Sequence, residues 1–309
     1  MIYKDFQDIS LSRLGMGNMR LPVKRGKIDY EKAQEIIDYA MEQGINYYDT
    51  AYVYHQGESE KFLGHALKKY PRDSYYIATK FYVMADSNIE RTFNEQLRRL
   101  DTDRIDFYLL HCVNEETADK YMDPTRKYMD FLMEQKEKGR IGHIGFSSHG
   151  NLNTLEKFLN WSDNFEFVQI QLNYLDWTLQ NAKRQYEMIT ERGLPVWVME
   201  PVRGGKLASL GENYDKRLKE AKPEWSVSAW AFHWLMGLEN VGVILSGMST
   251  MEQIRDNVST FKSEEPLTKE QNLMLLNIAA GYQSRLAIPC TACRYCCDGC
   301  PVGIDIPVW

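Results

Sequence analysis

Four polar residues, Asp49, Tyr54, Lys80 and His111, have the types and spacing needed to move a proton beside a carbon that is being reduced. A tyrosine with an ordinary pKa of about 10 is a poor acid near neutrality. A lysine ammonium against the ring favours the phenolate, so the phenol can protonate the alkoxide that develops when a hydride adds to a carbonyl. In such a set Asp49 would hold Lys80, and His111 would hydrogen-bond the substrate oxygen and fix the reacting carbon. Singly, each has a plain reading: a charge at a strand end is often solvated, and a loop tyrosine often packs. Jointly, three ends of consecutive β-rich runs and the loop between two of them point to one reaction centre, which needs no metal.

A second chemistry sits near the end of the chain. Five of the six cysteines lie between Cys290 and Cys300, with Cys112 alone elsewhere. Crowding of this kind points to a metal centre rather than a disulfide framework. The spacing Cys290-x2-Cys293-x2-Cys296-x3-Cys300-Pro301 matches the bacterial ferredoxin run, trailing proline included, and predicts a 4Fe-4S cluster on those four thiolates. Zinc is the competing ligand, although its sites usually pair two separated knuckles. Cys297 falls outside the spacing, and no second run follows before Trp309. The segment therefore reads either as one locally closed cluster or as a shortened two-cluster motif.

Around Tyr54 and its neighbours the chain alternates between β-rich runs and amphipathic helical stripes. Strands are expected at 11–17, 46–50, 75–80, 105–111, 141–147, 165–172, 195–200 and 241–247. The first helix carries Ala33, Ile36, Ile37, Ala40 and Met41 on one face and stops at Gly44. Eight such units in about 250 residues predict an α/β fold, a (β/α)8 TIM barrel. A doubly wound sheet is disfavoured because Gly15-Met16-Gly17-Asn18 leads into a long polar loop, not a tight glycine-rich turn into a helix. A last helix over 268–281, capped by Thr268, leads into the cysteines. The expected domains are a barrel over 1–285 and a short C-terminal cysteine-rich segment over 286–309.

Composition narrows the partners. A formal net charge of -6 with scattered basic residues argues against nucleic acid or an anionic membrane surface. No run of eighteen apolar residues occurs and the N-terminus is polar, so the expected location is cytoplasmic.

The pattern Tyr48-Asp49-Thr50-Ala51 with Tyr54, Gly57, Glu58 and Glu60, then Thr79-Lys80 and Leu110-His111, resembles the aldo-keto reductases over about 14–257. The resemblance implies a catalytic tetrad of Asp49, Tyr54, Lys80 and His111, a nicotinamide cofactor and a small carbonyl or alcohol substrate. It places Gly17, Asn18 and Met19 beside cofactor and substrate, and Ser147, Ser148 and Gln169 at the carboxamide, Ser148 standing where the family has asparagine. Met199 takes the place of a stacking aromatic ring. In the segment from Leu245 to Asn257, Ser249, Gln253, Arg255 and Asn257 are implied at the adenosine end, while Gly247 and Gln253 occupy positions usually basic. NADPH is the first cofactor implied and NADH the second. Arg203-Gly204-Gly205-Lys206 reads as a pyrophosphate lid or as an ordinary polar turn. Tyr82, Tyr174, Trp177 and 112–123 are candidate pocket walls.

The expected function is thus NAD(P)H-dependent interconversion of a carbonyl and an alcohol, Tyr54 acting as acid and base. The tail resembles those of reductases with ferredoxin-like segments and implies an electron-transfer protein as partner. The alternative is a nicotinamide-binding sensor or regulatory subunit.

Overall fold

The computed structural model describes residues 1–284 and, beyond them, Val302 and Ile304. Eight parallel strands close into a barrel: β1 (Leu14–Gly17), β2 (Tyr47–Asp49), β3 (Tyr76–Phe81), β4 (Ile105–Val113), β5 (Ile141–Ser148), β6 (Phe167–Gln171), β7 (Val196–Met199) and β8 (Val241–Ser246). Their register sets neighbouring strand ends side by side, with Gly17 opposite Asp49, Asp49 opposite Ala78 and Lys80 opposite Leu109. Around them pack α1 (Tyr30–Glu42), α2 (Glu58–Leu67), α3 (Ile89–Leu100), α4 (Tyr128–Glu137), α5 (Leu152–Trp161), α6 (Ala182–Glu191), α7 (Val227–Met236) and α8 (Met251–Thr260). The barrel and all eight strands follow the expectation from sequence. The cysteines expected to hold a 4Fe-4S cluster, Cys290, Cys293, Cys296 and Cys300, lie outside the described residues.

Local chemistry explains the helix ends. Asp29, Asn88, Asn151 and Thr250 each accept a backbone N–H in the first turn of α1, α3, α5 and α8, satisfying a donor the helix cannot. Gly44, with φ of 84°, follows α1 in the left-handed region as expected of a helix stop. Thr268 and Gln271 form a reciprocal capping box at the head of the helix Lys269–Gln283.

One expectation needs correction. The run 11–17 is not a single strand: Ile9–Ser12 pairs antiparallel with Tyr3–Phe6, and the barrel strand begins only at Leu14. Arg13 marks the handover, its side chain buried and paired with Glu264 while its carbonyl accepts from Ile244. Both parts share β-forming residues, so periodicity alone cannot divide them.

Two apolar cores result. The larger fills the space between strands and helices. The smaller lies inside the barrel, where Phe6 from the hairpin joins Tyr47, Phe107, Phe167 and Trp197. Phe6 meets the Trp197 ring edge-on at 5.1 Å and Phe167 packs on Trp197 at 4.9 Å, so the hairpin plugs the floor with aromatic rings.

α2 and α3 touch at Gly64, where an added Cβ would lie 2.6 Å from the backbone carbon of Leu100. Backbone cannot step aside as a side chain can. Gly64→Ala is expected to cost about 1–3 kcal/mol, read as a lower urea midpoint with unchanged slope.

Candidate active site

The strand ends that form the rim bring the four expected groups together. Asp49 ends β2 and Lys80 precedes the last residue of β3, both buried within the barrel mouth. Lys80 Nζ donates to Asp49 Oδ1 at 2.5 Å and to the Thr50 carbonyl at 2.6 Å. It also lies 5.0 Å from the centre of the Tyr54 ring. Tyr54 begins a tight turn, Tyr54–Gly57, in which His55 and Gln56 adopt left-handed backbone before α2 starts. The His111 ring meets Tyr54 edge-on at 5.7 Å and Tyr82 at 5.5 Å, which puts Tyr82 at the mouth as expected. Tyr174 and Trp177 do not join it: Tyr174 is buried, and Trp177 packs on Trp234 and Tyr186.

Burial governs the charges here. Desolvation raises the Asp49 carboxyl and lowers the Lys80 ammonium, and each opposes the shift of the other through their contact. His111 is pushed well below its usual range, first by desolvation and then by the Lys80 and His149 charges. That shift favours the neutral imidazole.

Behind Lys80 lies a polar network to which the sequence reading gave no role. Glu60 is fully buried; its Oε1 accepts from Thr79 Oγ1 at 2.6 Å and Gln96 Nε2 at 2.9 Å, and its Oε2 from Arg99 at 3.0 Å. Gln96 also donates to the Lys80 carbonyl at 3.0 Å, and Arg99 to that of Tyr52 at 3.1 Å. One carboxylate thus fixes both the strand carrying Lys80 and the loop leading to Tyr54. The glutamate is visible within the Gly57-Glu58-Ser59-Glu60 run, but its partners are on β3 (Thr79) and α3 (Gln96 and Arg99).

His111 has its own support. The next residue, Cys112, has φ of 56°, and the β4–β5 register slips between Leu110 and Val113, a bulge that re-aims the strand end. The Cys112 N–H donates to Ser147 Oγ at 2.9 Å, and the Tyr121 hydroxyl lies 2.7 Å from the His111 carbonyl. Tyr121 falls in the stretch expected to line the pocket, yet it is buried as a brace.

The residues expected at the cofactor divide into several groups. Ser147 and Gln169 face each other in register on β5 and β6, with Ser148 next in line. Ser148 Oγ and Gln169 Oε1 are buried without a hydrogen-bond partner among the described residues. A hydroxyl donor beside an amide acceptor fits a carboxamide, which offers one of each. Gln169 Nε2 lies 3.6 Å from the Met199 sulfur at the end of β7. Asn18 donates to the Asp49 carbonyl at 2.9 Å, and Gly17 is closely approached by the next strand end, a Cβ there lying 3.3 Å from the Ser246 carbonyl oxygen. Met19 follows in the turn Asn18–Arg20.

At the adenosine end, Gln253 accepts from the Ser249 N–H at 2.7 Å, and Ser249 Oγ donates to the Arg20 carbonyl at 2.6 Å. Asn257 donates to Ser246 Oγ at 2.9 Å. The Arg255 guanidinium lies 5.8 Å from the Tyr39 ring of α1. The cation overlooked in the sequence is Arg20: its stem covers Gly247, where a Cβ would stand 3.1 Å from Arg20 Cβ, and its head lies 3.5 Å from Glu200. Arg203, expected either in a pyrophosphate lid or in an ordinary polar turn, is instead buried, its Nε donating to Asp176 at 3.0 Å. Composition suggested a solvated turn; the left-handed Gly204 and Gly205 instead let the chain curl with Arg203 inward.

Among the described residues no cluster suited to a metal ion occurs, and no helix is long and apolar enough to cross a membrane.

Comparison with known proteins agrees with this geometry. The chain is 26% identical over 297 residues to an uncharacterised oxidoreductase of Bacillus subtilis, covering 85% of this chain and 91% of that protein. It is 25% identical to the NADH-specific methylglyoxal reductase of Escherichia coli, covering 82% and 90%. The holo form of the aldo-keto reductase AKR11C1 from Bacillus halodurans superposes with a TM-score of 0.75 at 29% identity, covering 90% of this chain and 96% of that one. Residues 13–279 match the aldo/keto reductase family model, nearly the whole of the barrel. The chain therefore belongs to the aldo/keto reductase family, oxidoreductases that interconvert carbonyls and alcohols with NAD(P)H.

Proposed function

We propose that Tyr54 is the acid and base of this interconversion, with Lys80, Asp49 and His111 as its supporting set. The observation that carries the reading is the Lys80 ammonium held by Asp49 at 2.5 Å and set 5.0 Å from the Tyr54 ring. A dinucleotide held there would, in reduction, supply the hydride to the carbonyl carbon and be oxidised in turn. Tyr54 delivers its phenolic proton to the carbonyl oxygen, so the C=O π bond is replaced by one C–H and one O–H bond. Lys80 stabilises the phenolate left behind, which then regains a proton from solvent. Neutral His111 donates a hydrogen bond to the same oxygen and sets its direction. Ser147, Ser148 and Gln169 would hold the carboxamide, and Met199 would pack against the ring.

The resemblance puts NADPH first and NADH second; from the adenosine end we propose the reverse order. Gly247 offers no charge, Gln253 is engaged with Ser249, Arg255 lies along Tyr39, and Arg20, whose stem covers Gly247, has its head 3.5 Å from Glu200, so the positions where the family usually grips a 2'-phosphate carry no cation of their own. The similarity to an NADH-specific reductase supports the same choice. Fluorescence titration should show tighter NADH than NADPH, and Tyr54→Phe should bind NADH normally while losing roughly a thousandfold in kcat with simple aldehydes. Binding with no turnover dependent on Tyr54 would instead make the chain a nicotinamide-binding sensor.

The spacing of Cys290, Cys293, Cys296 and Cys300 supports a 4Fe-4S site, which would serve as an electron relay to a protein partner, a docking element or a structural staple. Anaerobically purified protein is then expected to be brown and to lose iron and acid-labile sulfide on Cys293→Ser; a colourless preparation containing zinc would overturn this assignment.

A further inference from the structure

We infer that Glu200 selects the cofactor: its carboxylate accepts a hydrogen bond from the 2'-hydroxyl of the adenosine ribose in NADH and repels the phosphate that NADPH carries at that atom. The inference rests on the order of cofactors read above from the adenosine end and deepens it by naming the residue that discriminates.

Glu200 follows β7 directly and is held in a way that its sequence does not favour. Its φ of 55° lies in the left-handed region, and the ring of Pro201 favours extended backbone in the residue before it. Such a conformation persists only where the surroundings over-determine it. Here Asn173 Nδ2 and the Arg203 N–H both donate to the Glu200 carbonyl at 3.0 Å. Asn173 Nδ2 also donates to Asp176 at 2.7 Å, the carboxylate that binds Arg203, so the strained residue is anchored to a buried ion pair.

That anchoring aims a carboxylate at the groove. Glu200 Oε2 is shut away from solvent and has no hydrogen-bond partner among the described residues. Oε1 faces the Arg20 guanidinium at 3.5 Å. Desolvation raises the carboxyl and the Arg20 charge opposes that shift. Arg20 ties the group to the adenosine end: its stem covers Gly247, and its carbonyl accepts from Ser249 Oγ at 2.6 Å, while the Ser249 N–H donates to Gln253. One side chain thus links Glu200 to three of the positions that the resemblance implies at the adenosine end. On the other side, Met199 precedes it and leads back to Gln169 and the carboxamide.

An enclosed carboxylate oxygen without a partner needs a donor. A ribose hydroxyl supplies one, and the bond to a charged acceptor is stronger than to a neutral one. A 2'-phosphate has no proton to offer above neutral pH and brings about two negative charges against the carboxylate. Arg20 does not cancel that repulsion, because its guanidinium already faces Glu200. With the Glu200 charge removed, the same guanidinium becomes a counter-ion for the phosphate. A single ion pair therefore serves both to accept one cofactor and to reject the other.

The test is calorimetric titration of NADH and NADPH into wild type and Glu200→Gln without substrate, so that no part of it depends on Tyr54. The variant is expected to bind NADH about fivefold more weakly and NADPH about tenfold more tightly, moving the ratio of the two dissociation constants by about fiftyfold. Parallel weakening of both cofactors, or an unchanged ratio, would overturn the inference. Wild-type protein alone gives a second measurement that does not depend on the variant folding. NADH lacking the adenosine 2'-hydroxyl should bind about tenfold more weakly than NADH itself. Equal affinity would assign the carboxylate to the other ribose or to neither, and would also overturn the inference. Preference of wild type for NADPH would refute the order of cofactors proposed above, whereas the role of Glu200 is decided by the change between wild type and variant.

Discussion

Lys80→Met is expected to lower kcat by roughly a thousandfold and to destabilise the fold by about 3–5 kcal/mol. The two losses have separate origins. Catalysis fails because nothing then stabilises the Tyr54 phenolate. Stability falls because the Asp49 carboxylate, buried and held by Lys80 at 2.5 Å, is left as a charge in a desolvated site. Burial already raises the Asp49 carboxyl, so the variant can take up a proton there and recover part of the loss at low pH. A second change, Asp49→Asn, removes the stranded charge altogether. The double variant should regain most of the urea stability and none of the single-turnover NADH oxidation rate. A kcat within tenfold of wild type in Lys80→Met would show that the ammonium has no part in proton transfer.

The second large effect concerns a pair that touches no substrate. Asp176 and Arg203 are both fully buried, and the carboxylate also accepts from Gln171 at 2.8 Å and Asn173 at 2.7 Å. Asp176→Asn keeps the size of the side chain while removing its charge, leaving the guanidinium inside the protein without its counter-ion. The expected cost is about 3–5 kcal/mol in urea unfolding. Because the carboxylate gathers the loops after β6 and β7, the surviving folded protein should also bind NADH more weakly. A loss under about 1 kcal/mol would mean that Arg203 finds water or another acceptor in the folded state.

Much of this was legible in the sequence, and the part that was not shares a physical cause. The eight strands could be read because each carries its own run of apolar and β-branched residues bounded by turn formers. Asp49, Tyr54, Lys80 and His111 could be read because parallel strands deliver their ends to one rim in chain order. Arg20 and Glu200 could not, since their contact at 3.5 Å joins residues 180 positions apart and neither neighbourhood shows the other. The same holds for Glu60 with Gln96 and Arg99, which lie 36 and 39 positions away. Arg203 was misjudged for a different reason: glycine and lysine around it imply solvent, whereas its surroundings are decided by Asp176. The Cys112 bulge is a matter of backbone angle, on which residue type is silent outside glycine.

The aromatic stopper beneath the barrel has a bearing on traffic through the enzyme. Phe6, Tyr47, Phe107, Phe167 and Trp197 leave no back door, so nucleotide and substrate share a single entrance at the opposite end. Whichever lies deeper must arrive first and depart last. Ser148 and Gln169, the groups that fit the carboxamide, are buried, so a nicotinamide seated against them would have to go in ahead of the carbonyl compound and stay until the alcohol had cleared the doorway.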